Sequence, residues 1–269
     1  MSEIQTKKYA FLGGGIIAGV FIERLLRGGG LPVGNLLATD IRPERLEELK
    51  SRFGVRVSPD NGEGAEFGDV VFLAVPPNAV KPVLTEVREK LRPRVLVVSL
   101  AAAIPTSLME EAVGQPVGVV RVIPNTPSLI GRGMNPHCLG KHVRPDDLPF
   151  IDGLLALFGE TIRLEERLMN VATALTAVGP TYVFPVIKSL KDTAVRLGLP
   201  EQVAQWAAAH TVLGSAQLVL ETGKDPDELK LMIGTRTLKE DEAQALFSGA
   251  LETAFEKISG TQRKLAQAQ

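Results

Sequence analysis

The sequence predicts an α/β domain with a doubly wound parallel sheet over residues 1–164, followed by an all-α domain over residues 165–269. In the first part, short apolar runs alternate with helical segments, which is typical of a parallel sheet covered by helices on both faces. From Glu165 onward, alanine, leucine and glutamate dominate and almost no strand pattern remains. With 269 residues, 45% of them hydrophobic, the chain is long enough for two domains.

Strands are predicted wherever β-branched, aromatic and other apolar residues follow one another, at Tyr9–Leu12, Leu36–Thr39, Val55–Val57, Val70–Val75, Val95–Leu100 and Gly118–Ile123. Two further runs, Met134–Leu139 and Thr161–Leu164, extend the sheet. Between these runs, helices are predicted at Ile17–Arg27, Arg42–Phe53, Asn78–Leu91 and near Pro145–Phe158.

Proline and glycine mark the helix ends in the second part. Pro180 begins a helix that runs to Leu197, where Gly198 ends it. Glu201–Glu221 is a second long helix, a shorter one begins at Pro226, and the last spans Ala243–Leu265. The two long helices carry more apolar surface than a helical domain of roughly a hundred residues buries. We therefore expect a second copy of the chain to cover it.

The first predicted strand runs directly into the sequence G-x-G-x-x-A at residues 13–18. Gly13 would make a tight turn, Gly15 would let the backbone approach a pyrophosphate, and Ala18 would let the next helix pack on the strand. Asp40 ends the second strand, where an acid accepts hydrogen bonds from the adenosine ribose. These features predict a Rossmann domain that binds a dinucleotide.

Composition limits the other functional classes. A formal net charge of -1 gives no general attraction to nucleic acid or to an anionic membrane. The single cysteine, Cys138, forms no disulfide within one chain, and no Cys/His group has metal-ligand spacing. Lys7 and Lys8 before an apolar stretch imitate a signal peptide, but three glycines interrupt it and no cleavage site follows. We expect a soluble cytoplasmic protein with no bound metal and neither nucleic acid nor membrane as a partner.

Several segments, in the same order along nearly the whole chain, resemble the pyrroline-5-carboxylate reductase family. The most specific is R-V-I-P-N-T-P at residues 121–127; the others are residues 69–75, 98–104, 173–184, 198–200, 211–221 and 226–230. The resemblance implies an NAD(P)H-dependent oxidoreductase of proline biosynthesis that reduces a cyclic imine, pyrroline-5-carboxylate, to proline by hydride transfer to C=N. It also implies an interlocked helical dimer or a higher homo-oligomer.

This chain is a divergent member, because it departs from the family pattern where substrate is expected. Val178 replaces a family serine, Lys188 replaces an acid, and the loop at residues 234–238 is shortened by several residues. Two alternatives therefore stay open. The chain reduces another imine or a keto acid, or it is a non-catalytic nucleotide-binding protein with a regulatory or assembly role.

Reduction of an imine needs a hydroxyl donor and groups that hold the substrate carboxylate, and the chain offers candidates for both. Thr176, Thr235 and Thr237 are the catalytic hydroxyl candidates, and Lys188, Arg236 and Asn125 are the substrate-binding candidates. The alternative roles are structural: a helix cap for Thr176, and solvent exposure for Arg236 and Lys188. The cofactor-binding candidates are Gly13, Gly15, Ile16, Ile17, Asp40, Arg42, Asn61, Ala74, Val75, Pro76 and Ala101.

The nicotinamide cofactor is expected to be NADH or NADPH, with NADH favoured. A carboxylate at Asp40 accepts hydrogen bonds from the ribose hydroxyls and repels a 2′-phosphate. Arg42 leaves NADPH open, because its guanidinium could bind that phosphate instead.

Overall fold

A computed structural model describes residues 2–267, and a single eight-stranded sheet dominates it. The strands are β1 (Tyr9–Leu12), β2 (Leu36–Thr39), β3 (Arg56–Ser58), β4 (Val70–Leu73), β5 (Leu96–Ser99), β6 (Gly118–Val122), β7 (Gly133–Leu139) and β8 (Gly159–Arg163). They lie in the order β3-β2-β1-β4-β5-β6-β7-β8, and every neighbouring pair is parallel except β6 and β7. The predicted doubly wound sheet is confirmed, including its two-strand extension.

The helices that cover the sheet are α1 (Glu3–Thr6), α2 (Ile16–Arg27), α3 (Pro43–Phe53), α4 (Asn61–Phe67), α5 (Pro77–Val87), α6 (Thr106–Val113), α7 (Leu148–Ala156) and α8 (Met169–Thr176). Four of them, α1, α4, α6 and α8, were not predicted from the sequence. In α4 two of the seven residues are glycine, which lowers helix propensity. That helix is supported instead by its N-cap, because the Asp60 carboxylate accepts a hydrogen bond from the Gly62 N–H at 2.7 Å.

Each face of the sheet has its own apolar core. One core joins α2, α3 and α7 to the sheet, and in it Phe11 stacks on Phe72 with ring centroids 4.6 Å apart. Phe21 of α2 meets Phe158 in the same core, at 3.8 Å. The other core joins α4, α5 and α6 to the opposite face. Each fully buried phenylalanine contributes about 1.5–3 kcal/mol, so these two layers hold the strand ends in fixed positions.

The chain divides into two compact units, one running through Ala177 and resuming at Ala254, the other spanning Val178–Thr253. This division falls after the boundary predicted at residue 164. The reason is that residues 166–176 pack against the sheet; for example, Glu166 pairs with Arg121 of β6 at 2.5 Å. The end of the last helix also belongs to the sheet unit, because Asn170 donates a hydrogen bond to Gln262.

The helical unit is built from α9 (Pro180–Arg196), α10 (Glu201–Thr222), α11 (Pro226–Lys230) and the first part of α12 (Glu240–Gln267). Gly198 follows α9 with φ +109°, and Gly223 caps α10 in the left-handed conformation, as predicted. Helix α9 has no buried residue, and α10 buries only Ala204 and Ala208. The single protomer therefore leaves apolar helix faces uncovered.

One stretch among residues 2–267, Glu166–Arg196, is long and apolar enough to cross a membrane by length and composition alone. It is not a continuous helix, because α8 ends at Thr176 and α9 begins only at Pro180. The α9 part also carries Lys188, Lys191 and Asp192. Charged groups of this kind are costly inside a bilayer, so the stretch gives little support for a span.

Candidate functional site

A cavity of about 440 Å³ and a larger one of about 630 Å³ open on the sheet unit. The larger cavity lies at the carboxyl ends of β1, β2 and β4, where ligands bind in open parallel sheets. Its walls come from the glycine-rich turn after β1, the residues that follow β2, and the start of α5. The parallel sheet thus places the predicted cofactor segments together.

Gly13 makes the turn from β1 into α2. Its φ is +101°, a conformation that side chains strongly disfavour, and its N–H donates to the Thr39 carbonyl at 2.9 Å. A Cβ at this position would lie 2.6 Å from the Ala74 carbonyl oxygen. The turn therefore packs directly on the residue after β4, and only glycine fits there.

Asp40 lies at the end of β2 with only 8% of its surface exposed. Its Oδ2 accepts a hydrogen bond from the Gly14 N–H at 2.8 Å, and its Oδ1 accepts from the Arg42 N–H at 2.9 Å. The Arg42 guanidinium pairs with both oxygens, at 3.0 and 3.1 Å. Burial alone would raise the pKa of Asp40, but these hydrogen bonds outweigh burial and lower the pKa. The carboxylate is therefore ionised at neutral pH.

Asn61 lies at the start of α4, beside the same cavity. Its Oδ1 accepts a hydrogen bond from the Thr39 hydroxyl at 2.6 Å, and its Nδ2 donates to Glu86 at 3.3 Å. These two bonds fix the orientation of the amide at the cavity wall.

Most of the predicted cofactor residues line this cavity: Gly13, Gly15, Ile17, Asp40, Arg42, Asn61, Ala74, Val75 and Pro76. Two predicted residues do not. The side chain of Ile16 is exposed to solvent, and Ala101 is buried in the core that contains residues of α4, α5 and α6. The wall is completed by four residues that were not predicted from the sequence: Ile41, Asn78, Ala79 and Val83. Residues 78, 79 and 83 share one face of α5, so helical periodicity downstream of Pro76 was the signal available for them.

The catalytic candidate Thr176 and the substrate-binding candidate Asn125 meet within the sheet unit. The Asn125 Nδ2 donates to the Thr176 carbonyl at 3.1 Å, and its Oδ1 accepts from the Met134 N–H at 3.1 Å. The Thr176 hydroxyl donates to the Ala172 carbonyl one turn back, at 2.9 Å. The Asn125 amide thus links the end of α8 to the start of β7, whereas the Thr176 hydroxyl is bonded within its own helix.

The other candidates belong to the helical unit. Thr235, Arg236 and Thr237 lie together, exposed, in the segment between α11 and α12. Lys188 is exposed on α9 and forms an ion pair with Asp192 one turn along the helix. The roles of these residues in substrate binding stay predictions.

A polar cluster around Glu166 was not predicted from the sequence. Its carboxylate accepts hydrogen bonds from the Thr106 N–H at 3.0 Å, the Thr106 hydroxyl at 2.9 Å and the Cys138 thiol at 3.2 Å, besides its ion pair with Arg121. Arg121 is completely buried. Burial, reinforced by the neighbouring carboxylate, raises the pKa of the Cys138 thiol, so this thiol stays protonated. A charged residue inside the apolar run of β6 was the sequence signal for such a partner.

Two family models match the chain. Residues 8–103 match "NADP oxidoreductase coenzyme F420-dependent", and residues 166–261 match "Pyrroline-5-carboxylate reductase dimerisation". The pyrroline-5-carboxylate reductase of Methanosarcina acetivorans is 32% identical over 263 residues, which cover 94% of this chain and 97% of that protein. The chain belongs to the pyrroline-5-carboxylate reductase family. The family member of Corynebacterium melassecola is 36% identical over 82% of this chain and 83% of its own length.

Solved structures agree with this assignment. A pyrroline-5-carboxylate reductase from Coxiella burnetii matches with a TM-score of 0.76 and 29% identity, covering 97% of this chain and 98% of that one. The enzyme of Plasmodium falciparum with NADP bound matches with a TM-score of 0.86 at 24% identity, covering 96% and 99%, and this match supports the fold. The predicted Rossmann sheet with a C-terminal helical dimerisation domain is confirmed, and the family fold implies a nicotinamide dinucleotide.

The cavity fits such a dinucleotide. The Gly13 turn has no room for a Cβ, Gly15 stands at the N-terminus of the twelve-residue helix α2, and the Asp40 carboxylate lies at the cavity wall. Backbone N–H groups at a helix start bind phosphate, and a carboxylate after β2 accepts from ribose hydroxyls. Gly13, Gly15, Asp40 and Asn61 are therefore the residues that would hold it.

Proposed function

We propose that this protein reduces pyrroline-5-carboxylate to proline with NADH or NADPH, as a cytoplasmic enzyme of proline biosynthesis. The observation that carries the proposal is the dinucleotide cavity at the ends of β1, β2 and β4, in a chain aligned over 94% of its length with a family member. NAD(P)H, when bound, supplies the hydride that reduces the C=N bond. The test is whether the purified protein oxidises either cofactor only when pyrroline-5-carboxylate is present.

A panel of cyclic imines and keto acids extends this test. Turnover of another imine without turnover of pyrroline-5-carboxylate would redefine the substrate. Cofactor binding without turnover of any compound would instead favour the non-catalytic nucleotide-binding alternative.

For the substrate site, we propose that the exposed segment between α11 and α12 binds the imino acid. Thr235 and Thr237 offer hydroxyl donors, and the Arg236 guanidinium can bind a carboxylate through two hydrogen bonds. Thr176, Asn125 and Lys188 are less available, because each already has a hydrogen-bond partner in its own unit. A protonated imine is already a strong hydride acceptor, so binding and orientation by these groups are enough for the reaction.

Replacing both Thr235 and Thr237 by alanine should lower the rate of imine reduction by about tenfold or more, because one hydrogen bond to a charged group contributes about 1.5–3 kcal/mol. Cofactor affinity should stay nearly the same, because the dinucleotide residues belong to the sheet unit. Steady-state kinetics and cofactor titration measure the two effects.

Thr222→Ala is the matched control, since that exposed hydroxyl bonds only to backbone at the end of its own helix, donating to the Leu218 carbonyl and accepting from the Lys224 N–H. Unchanged turnover in the double variant would remove these threonines from the mechanism. Lys188 and Asn125 would then remain as the substrate-binding candidates, each tested by its own substitution.

For the cofactor, we propose a preference for NADH. The Asp40 carboxylate is ionised and repels a 2′-phosphate, while Arg42 is held against it by two hydrogen bonds. Wild-type protein should bind NADH more tightly than NADPH, and Asp40→Ser should move the ratio of the two dissociation constants toward NADPH by about tenfold. Fluorescence titration with both reduced cofactors measures this ratio. A tenfold preference of the wild type for NADPH would contradict the proposal.

For assembly, the matched dimerisation model supports a homo-oligomer, and we propose a homodimer formed through α9 and α10. Phe184, Leu213 and Leu220 are exposed on these helices in the protomer, and Trp206 is 65% exposed. Burial of these apolar side chains against a second copy of the chain would stabilise the dimer. Light scattering at micromolar concentration should give at least twice the protomer mass of 28.9 kDa. A stable monomer there would contradict the proposal.

A further inference from the structure

The Gly14 peptide groups of the glycine-rich turn are held from both sides by charged side chains. The Gly14 N–H donates to Asp40 at 2.8 Å. The Gly14 carbonyl accepts two hydrogen bonds from one guanidinium, that of Arg45 in α3, from Nε at 3.0 Å and from Nη2 at 2.8 Å. The rest of this guanidinium is fixed by an ion pair between Nη1 and Glu48, one turn along α3.

The Arg45 guanidinium lies on the side of the turn away from the dinucleotide cavity. Arg45 and Glu48 line a separate pocket of about 210 Å³ between α2 and α3. Gly13 and Gly15 line the dinucleotide cavity, whereas a Cβ on Gly14 would face α3, 2.9 Å from Leu49. The turn therefore has a cavity side and an α3 side, and Arg45 contacts only the α3 side.

This placement determines where the next N–H points. The Gly14 carbonyl and the Gly15 N–H belong to one planar peptide group, and the described residues contain no cis peptide. In a trans peptide the C=O and N–H point in opposite directions. Because Arg45 holds the carbonyl toward α3, the Gly15 N–H is directed away from α3, at the start of α2.

We infer that Arg45 is a positioning residue of the dinucleotide site, which orients the Gly15 N–H for the pyrophosphate by binding the Gly14 carbonyl from behind. The inference rests on the proposed dinucleotide function but not on the identity of the imine. The Arg45 side chain does not line the cavity, so its effect on the cofactor is exerted through the turn. Two charge-assisted hydrogen bonds to one carbonyl make this contact both strong and directional.

Removing this contact should weaken cofactor binding without changing the chemistry. Arg45→Ala in the full-length protein should raise the dissociation constants of NADH and NADPH by about tenfold, as expected for the loss of hydrogen bonds to a charged group. The KM for the cofactor should rise by a similar factor, and kcat at saturating cofactor should be unchanged. Arg45→Lys keeps the charge but loses the paired geometry, so we expect an intermediate effect.

Arg52→Ala is the matched control. Arg52 lies in the same helix and carries the same charge, but it pairs with Glu23 on the surface. Its loss should leave both dissociation constants unchanged, which separates positioning from long-range attraction to the cofactor phosphates. An equal weakening in both variants would overturn the inference, because net charge would explain it.

Direct titration of cofactor fluorescence needs no substrate. It therefore tests the positioning role of Arg45 separately from the proposed reductase function. Wild-type protein that binds NADH or NADPH, with the same dissociation constant in Arg45→Ala, would overturn this inference alone. Wild-type protein that binds neither cofactor would overturn the proposed function together with it. If Arg45→Ala does not fold, Arg45→Lys and Arg45→Gln carry the same test, and unchanged affinity in both would overturn the inference.

Discussion

Glu166→Ala is expected to lower the free energy of unfolding by about 3–5 kcal/mol, because it leaves the guanidinium of Arg121 buried without its carboxylate. The same substitution removes the acceptor of the Thr106 N–H, the Thr106 hydroxyl and the Cys138 thiol. Equilibrium unfolding in urea measures the change.

The neighbouring residue provides the control for this prediction. Glu165 is exposed and pairs only with the exposed Arg167, so Glu165→Ala should change the unfolding free energy by no more than about 0.5 kcal/mol. A loss below about 1 kcal/mol in Glu166→Ala would mean that water or another group compensates Arg121.

The same carboxylate should give the protein an acid-sensitive stability. Burial alone would raise the pKa of Glu166, but hydrogen bonds from Thr106 and the charge of Arg121 outweigh burial and lower the pKa. Its folded pKa therefore lies below the ordinary value of 4.5. The stabilisation that ionised Glu166 provides is fully present above pH 4.5, and it is lost as the pH falls through the pKa of Glu166 in the folded protein. Glu166→Gln should flatten this part of the stability curve, whereas Glu165→Gln should not.

Gly13→Ala is expected to have the second large effect, on folding and on cofactor binding together. The new Cβ would lie 2.6 Å from the Ala74 carbonyl oxygen at a φ of +101°. Strain of this kind costs about 2 kcal/mol of unfolding free energy. Because Ala74 and Val75 line the dinucleotide cavity, their displacement should also weaken NADH and NADPH binding by at least about tenfold. Urea unfolding and cofactor titration measure the two effects.

Two other glycines separate these effects. Gly34 has no heavy atom within 4 Å of its Cβ position, so Gly34→Ala should alter neither property. At Gly15 the nearest atom is 3.9 Å away, so an alanine fits the folded protein, but its methyl group would enter the dinucleotide cavity. Gly15→Ala should therefore weaken cofactor binding at nearly normal stability. Unchanged cofactor affinity in Gly13→Ala would show that the turn adapts.

Most of the sheet could be predicted from the sequence because strands such as β1, β4 and β5 are short apolar runs between turn residues, and such runs differ clearly from the helical segments. Helix α4 could not be predicted, because its two glycines give it a low helix propensity. It is stabilised instead by its N-cap and by packing. The packing of the segment after residue 164 on the sheet unit could not be predicted either. Residues 165–168 include three charged side chains that resemble a solvated linker, yet Glu166 binds a strand 45 positions earlier in the chain.

The cofactor site was more predictable than the substrate site. Its glycines and Asp40 act through backbone geometry that a short motif encodes, and parallel strands bring the motif residues to one edge. The Arg45 contact with Gly14 is not in that motif, because it depends on how α3 packs on the turn. The imino-acid candidates at residues 235–237 depend on the conformation of an exposed loop, which residue type alone does not determine.

Cys138, the single cysteine of the chain, is a natural chemical probe of local unfolding around β7. The thiol is 2% exposed, protonated and bonded to Glu166, so a thiol reagent cannot reach it in the closed state. Labelling therefore requires the strand carrying it to separate from the Glu166 segment. The labelling rate under native conditions measures how often this region opens, with no engineered reporter.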